Sequence, residues 1–173
     1  MNNLRLYIPK LEDYWYQEKI QGDPKTMYYN AGYDVNYDGY HFDTGCIDFP
    51  KEKWKKVFEN RLKENKFLAY IIETTNNEFV GYVNYQYNSS DKRYDCGILI
   101  EDKYRNRGYA KQSLELLLDV AKKNGVKEVY DSFEISRKSS LKLFLDIGFE
   151  IVDRFKIKKN SLEEECVLIK KAL

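Results

Sequence analysis

The chain is short of several things. It has one histidine, three cysteines and three prolines in 173 residues. A lone histidine, His41, excludes a zinc site built from several imidazoles, and a Ser-His-Asp triad would have to use it. It reads as an ordinary surface or half-buried ring. Cys46, Cys96 and Cys166 lie far apart and are odd in number. That pattern makes no disulfide framework and fits a reducing cytoplasm. No metal site is expected. No apolar run approaches the roughly 18 residues that span a bilayer. The start, Met1-Asn2-Asn3-Leu4-Arg5, carries no signal-peptide pattern, so no membrane partner is expected. Charge of one sign is lacking too: 29 Lys and Arg stand against 28 Asp and Glu, a net charge of +1. A nucleic-acid binder carries a basic excess, so nucleic acid is not an expected partner. There is no internal repeat and no linker rich in Pro, Gly or Ser.

What is present suits one globular domain over residues 1–173, at roughly 150 residues per domain. The hydrophobic fraction is 43% and the charged fraction 33%, which argues against disorder. Leu4, Leu6 and Ile8 alternate, predicting a strand that stops at Pro9. Residues 10–21 read as a helix and residues 22–50 show no clean period. Trp54, Val57, Phe58 and Leu62 recur at helical spacing after Pro50. Strands follow at 67–74 and 79–87, joined by an Asn76-Asn77 turn, and at 94–101. A helix carries Ala110, Leu114, Leu117, Leu118 and Ala121 on one face and ends near Asn124-Gly125. Then come a strand at 126–133, a short helix at 139–145 capped by Gly148, and two strands at 150–158 and 164–169. The fold class is α/β with a mixed sheet, and the strand–helix–strand in the middle implies a parallel crossover.

The junction after Glu101 carries the strongest chemical signal. A strand ends, a loop bears Lys103, Arg105 and Arg107, then Gly108, and a helix begins. Free amides at a helix N-terminus and the helix dipole together make an anion site. Gly108 lets backbone approach the anion, and Lys111 adds charge. A pyrophosphate fits this description. The loop lacks the Gly-Lys-Ser/Thr of a Walker motif and the repeated glycines of a dinucleotide fingerprint.

Arg105-Asn106-Arg107-Gly108-Tyr109-Ala110 resembles the pyrophosphate-binding motif of the GNAT family of N-acetyltransferases. Ser139-Ser140-Leu141-Lys142-Leu143-Phe144-Leu145-Asp146-Ile147-Gly148-Phe149 resembles that family's second motif. The resemblance covers about residues 94–152, the expected acyl-CoA-binding core, and leaves residues 1–90 as the acceptor side. It implies a mostly antiparallel sheet and acetyl-CoA, or another acyl-CoA, as co-substrate. It also implies direct transfer of the acyl group to an amine in a ternary complex. Ile98, Leu99 and Ile100 would pair with pantetheine, and loop amides from Arg105 through Asn106, Arg107, Gly108, Tyr109 and Ala110 to Lys111 would hold the pyrophosphate. Arg137, Ser140 and Phe144 would line the donor site.

The Ile100 N–H would meet the tetrahedral oxyanion. Glu134 is the favoured general base, with Glu101 its competitor. Two positions depart from the family. Arg137 stands eleven residues before Gly148, where asparagine is usual, and Phe144 stands four before it, where the usual tyrosine is proposed as the acid for the thiolate. Phenylalanine has no proton to give, so a second reading is an acyl-CoA-binding domain without turnover.

Residues 26–50 contain no Lys or Arg but four aspartates, among them Asp34 and Asp38. Aromatic side chains including Tyr28, Tyr29 and Tyr33 lie among them. Long irregular loops are often functional, and carboxylates with aromatic faces suit a cationic amine. A polyamine, an aminoglycoside-like amine or a peptide amine is the expected acceptor, with Glu101 beside it. The chain is expected to act as a monomer or homodimer.

Overall fold

The computed structural model describes residues 3–63 and 65–173. Among these, seven strands form one mixed sheet in the order β1-β2-β3-β4-β5-β7-β6. The strands are β1 Leu4–Tyr7, β2 Lys66–Glu73, β3 Glu78–Asn88, β4 Arg93–Ile100, β5 Glu128–Glu134, β6 Glu150–Lys159 and β7 Leu162–Ala172. Every pairing is antiparallel except β4 with β5. The parallel crossover is made by α4, Tyr109–Lys123. This is the mixed α/β sheet with a parallel crossover that the element order implies, and it is mostly antiparallel, as the family resemblance implies.

The helices cover the two faces of the sheet. On one face Leu114, Leu117, Leu118 and Ala121 of α4 bury against Val80, Val83, Val129 and Ile169, joined by Phe144 of α5, Lys138–Asp146. The four-residue and three-residue spacings of the α4 stripe put these side chains on one side of the helix. On the other face Tyr16 and Ile20 of α1, Trp15–Gln21, pack on Tyr70 and Leu99. A third cluster, Tyr14, Phe49 and Trp54, seats α3, Lys51–Arg61.

One short element was not visible in the periodicity. Residues Pro24–Met27 form a single helical turn, α2. Asp23 caps it, accepting from the amides of Lys25 and Thr26, and Pro24 sits at the first helical position. Four residues are too few to show a helical period, so only the cap and the proline announce it. The expected terminators are in place. Gly148 closes α5 at φ 86°, and the Phe149 amide reaches back to Phe144 O at 3.0 Å. Asn160 and Ser161 both take positive φ in the tight β6–β7 turn.

Gly81 of β3 faces Ile100 across the ladder, where a β-carbon would lie 2.1 Å from Leu99 O. Only glycine permits that approach without moving β4. Gly81→Ala is expected to cost about 1–3 kcal/mol, read as a lowered midpoint of urea unfolding.

Candidate active site

β4 and β5 meet at one register pair, Asp95 with Tyr130, and then part. The direction of the β4 backbone groups follows from the ladder with β3. Glu101 N–H donates to Val80 O at 3.0 Å. Antiparallel pairing alternates, so Leu99 and Gly97 turn their polar backbone toward β3. The amides of Ile98 and Ile100 face the other way, into the gap beside β5. This corrects one expectation: Leu99 shares the wall of the gap, but its amide and carbonyl are spent on β3.

The gap opens into a cleft of about 1320 Å³. At its open end lies the loop before α4. Asn106 and Gly108 take left-handed backbone angles, φ 62° and 75°, and no atom lies within 4 Å of where a Gly108 β-carbon would stand. The first bond of α4 runs from Gln112 N–H to Gly108 O at 3.5 Å. The amides of Gly108, Tyr109, Ala110 and Lys111 therefore have no partner in the helix. Four N–H groups left over at the positive end of a fifteen-residue helix are suited to meet an anion.

The loop arginines differ from expectation. Arg105 is not mobile positive charge. Its guanidinium donates to Thr26 O at 2.7 Å, to Ile100 O at 3.2 Å and to Lys25 O at 3.4 Å, and it pairs with Asp102 at 3.3 Å. Its own amide is taken by Asp102 O at 3.1 Å. Thr26 Oγ1 also accepts from the Asp102 amide, so the capped turn α2 is tied to the loop at several points. Arg107 folds back over the Tyr104 ring and onto Lys103 O, outside the cleft. Lys111 lines the cleft.

The opposite wall comes from β5 and α5. Arg137 stands over the rings of Tyr29 and Phe133, 4.9 and 5.4 Å from their centroids, and reaches Ser140 Oγ at 3.4 Å. Phe144 is 3% exposed and packs on Phe133 and Phe149. At the closed end sits Asp131, which lines the cleft. Burial pushes its carboxyl up to about 7, helped by Asp95 and opposed by Arg137 and by the Ser132 amide. The residue reading missed it. The available signal was parity: Asp131 lies between Val129 and Phe133, two buried apolar residues on the same face of one strand.

The family profile described as "Acetyltransferase (GNAT) family" matches residues 12–149. The chain belongs to the GNAT family of acetyltransferases. Solved structures with the same fold include the spermidine N-acetyltransferase from Vibrio cholerae in complex with CoA and spermine. Its TM-score is 0.78 at 11% identity, covering 99% of this chain and 96% of that one. RimL, the ribosomal L7/L12 alpha-N-protein acetyltransferase in complex with coenzyme A, gives 0.77 at 12% identity, with 100% and 96% covered. A GNAT acetyltransferase from Streptococcus pneumoniae gives 0.77 at 15%, with 98% and 99% covered. A search of curated proteins gave no significant sequence match.

Within this GNAT fold, neither glutamate first considered as base faces the cleft. Glu134 is 2% exposed and is clasped by Lys159, whose ammonium also donates to Tyr29 O at 2.8 Å. Burial pushes the Glu134 carboxyl up, but Lys159 and the neighbouring Tyr33 hydroxyl outweigh it and hold it below the usual carboxylate range. A stabilised, ion-paired carboxylate is a weak base. Glu101 is likewise buried, bonded to Lys19 at 2.8 Å and to the Tyr16 hydroxyl at 3.2 Å. Both are clasps between elements.

The aspartates of the long loop also lie elsewhere. Tyr28, Tyr29 and Tyr33 line the main cleft. Asp34 is exposed and outside it, and Asp38 borders a second cavity of about 360 Å³ while paired with Lys53 at 2.7 Å. Tyr82 and Asn84 of β3 line both cavities, which makes them the meeting point of the two. Gly97, opposite Asn84 in register, leaves that point free of a side chain. Among the described residues no group of three His, Cys, Asp or Glu side chains could hold a metal ion, and no helix is long and apolar enough to cross a membrane.

Arg105→Ala removes bonds to three carbonyls and is expected to cost about 1–3 kcal/mol. Arg107→Ala is expected to stay within about 0.5 kcal/mol in the same urea titration. Glu134→Gln leaves the Lys159 charge without its partner and is expected to cost about 3 kcal/mol at pH 7. The sign with pH is set by the lowered carboxyl: its contribution is complete above the ordinary carboxylate value and fades as pH falls through the folded one. The stability gap between Glu134→Gln and the wild type should therefore narrow below about pH 4.

Proposed function

We propose that the protein is an acetyl-CoA-dependent N-acetyltransferase that passes an acetyl group directly to a primary amine. The observation that carries this reading is one continuous surface. It runs from the unpaired amides of α4 along the Ile100 and Ile98 amides to the closed end of the β4–β5 gap. That surface suits a ligand with phosphates at one end and an amide-bearing arm at the other. Gly108, Tyr109, Ala110 and Lys111 would hold the pyrophosphate. The amides of Ile98 and Ile100 would pair with the arm, and one of them would meet the carbonyl oxygen as it gains charge. Arg137 and Ser140 would lie along the arm's other side.

The acceptor would enter from the opposite sheet face, past Tyr29, Tyr33, Tyr82 and Asn84. A small cationic amine or a peptide amine is the acceptor class. The titles of two fold neighbours name a polyamine acetyltransferase and a protein α-N-acetyltransferase, which supports that range. Recognition of a cation would rest on the tyrosine faces, since Asp34 and Asp38 stand away from the main cleft. The three cysteines are free and buried, which supports a cytoplasmic setting.

A second reading is an acyl-CoA-binding domain without turnover. Phe144, sealed between Phe133 and Phe149 with no hydroxyl, favours it. Thiol release from acetyl-CoA separates the two. Measured against polyamines, aminoglycosides, lysine and peptide N-termini, with a donor-only blank, release is expected with one acceptor class alone. Binding of acetyl-CoA with no release from any amine would favour the second reading.

A further inference from the structure

A thiolate that leaves a thioester is stabilised by a proton, and a carboxyl in the cleft wall is placed to give it. The two sheet faces sort the candidates. Asp131 shares its face with Phe133 and Phe144, the side of α4 and α5 on which the phosphate seat lies. The acceptor-side aromatics Tyr29 and Tyr82 pack on the opposite face, with α1 and Met27. A donor arm seated at the start of α4 carries its sulfur in from the α4–α5 side, so the leaving thiolate would stay on that side while the amine arrives from the other. Phe144 has no proton. Tyr29 and Tyr33 are made weaker acids by burial first of all. Asp102 is held by Arg105.

Asp131 alone among the cleft carboxyls is half-buried at the closed end of the gap and free of a salt bridge among the described residues. Its Oδ1 accepts from the Ser132 amide at 2.8 Å. The charged groups around it are Asp95 on β4, itself paired with Arg93 at 2.7 Å, and Arg137 at the start of α5. Cys96, its neighbour on β4, is buried and pushed up by burial first and by Asp131 next, so it stays a thiol.

We infer that Asp131 is the proton donor to the leaving thiolate, a role that rests on the acetyltransferase reading above. The amine nitrogen bonds to the acyl carbon, and the carbon–sulfur bond breaks with its electron pair on sulfur. The Asp131 carboxylic acid passes its proton to that sulfur. The nitrogen's surplus proton goes to solvent, which returns one to Asp131. The isolated carboxyl suits the task because burial holds it at about 7, so a large fraction is protonated at neutral pH.

The test begins without ligand. In ¹³C-aspartate-labelled protein, the carboxyl signal lost in Asp131→Asn should titrate near 7 in the wild type; a midpoint below about 5 overturns the role. With acetyl-CoA and the responsive amine, Asp131→Asn should lower kcat about 100-fold with donor affinity unchanged. The acid is competent below its pKa, so wild-type kcat should fall above pH 7, and that fall should vanish in the variant. An acetyl thioester of an acidic aryl thiol needs no proton on leaving, so with it the defect should shrink to about threefold. A defect that persists with the aryl donor overturns the role. Wild-type turnover with an unchanged Asp131→Asn profile sinks this role alone. No release by the wild type with any amine sinks the acetyltransferase reading and the role with it.

Discussion

The site depends on two neighbouring strands that pair once and then part. β5 is held along its whole length by β7, from Glu128 opposite Ala172 to Glu134 opposite Cys166. β4 is held equally fully by β3, from Gly81 with Ile100 to Asn88 with Arg93. Each strand is satisfied on its far edge, so the near edges can diverge past Asp95 and Tyr130 without losing either antiparallel partner. Unpaired backbone groups are costly when buried dry. Here they are left facing a cleft, which is what a strand-like ligand arm requires. Arg105 steadies the mouth of that cleft by taking the Ile100 carbonyl and binding the α2 turn in the same reach.

Three carboxylates near this gap show how environment divides one chemistry. Glu134 and Glu101 are buried against lysines and serve as ties. The Glu134 tie is long-range in effect, since Lys159 also bonds Tyr29 O and lies 4.6 Å from the Tyr33 ring centroid. The β6–β7 hairpin thereby pins the tyrosine loop over the cleft. The Asn160 amide donates to Gly32 O at 2.8 Å and strengthens the same joint. Asp131 has no such cation in contact among the described residues, and desolvation governs it instead. Burial with a partner gives a structural ion pair; burial at a cavity wall without one raises the carboxyl and favours its neutral form.

The long loop between α2 and α3 is built on its own polar contacts. Tyr40 Oη donates to Asn30 O at 2.7 Å and receives the Tyr33 amide at 3.1 Å, and Asn30 Nδ2 donates to Gly45 O at 2.9 Å. These bonds explain how a loop with little regular structure can wall the cleft. They also explain why its aspartates turn outward. Asp38 meets Lys53 and Asp48 meets His41 at the rim, where hydrated ions cost least.

Apart from the α2 turn, the order of strands and helices, the crossover, the closing glycines and the free amides at Gly108 were legible in the residues. Each is set by a local rule: side-chain period, left-handed backbone angles, or amides left over at a helix start. The family likeness rests on the same local segments. What was not legible depends on partners distant in the chain. Arg105 reads as a phosphate ligand until Thr26, 79 residues earlier, takes its guanidinium. Glu134 reads as a base until Lys159, 25 residues later, clasps it. Asp34 and Asp38 read as an acceptor site until the loop turns them to solvent. Asp131 escaped notice because its environment is made by two strands and a helix that meet only in the fold. The sequence determined which backbone would be free to bind. The tertiary structure alone decided which charges would be neutralised, because charge neutralisation acts through space and not along the chain.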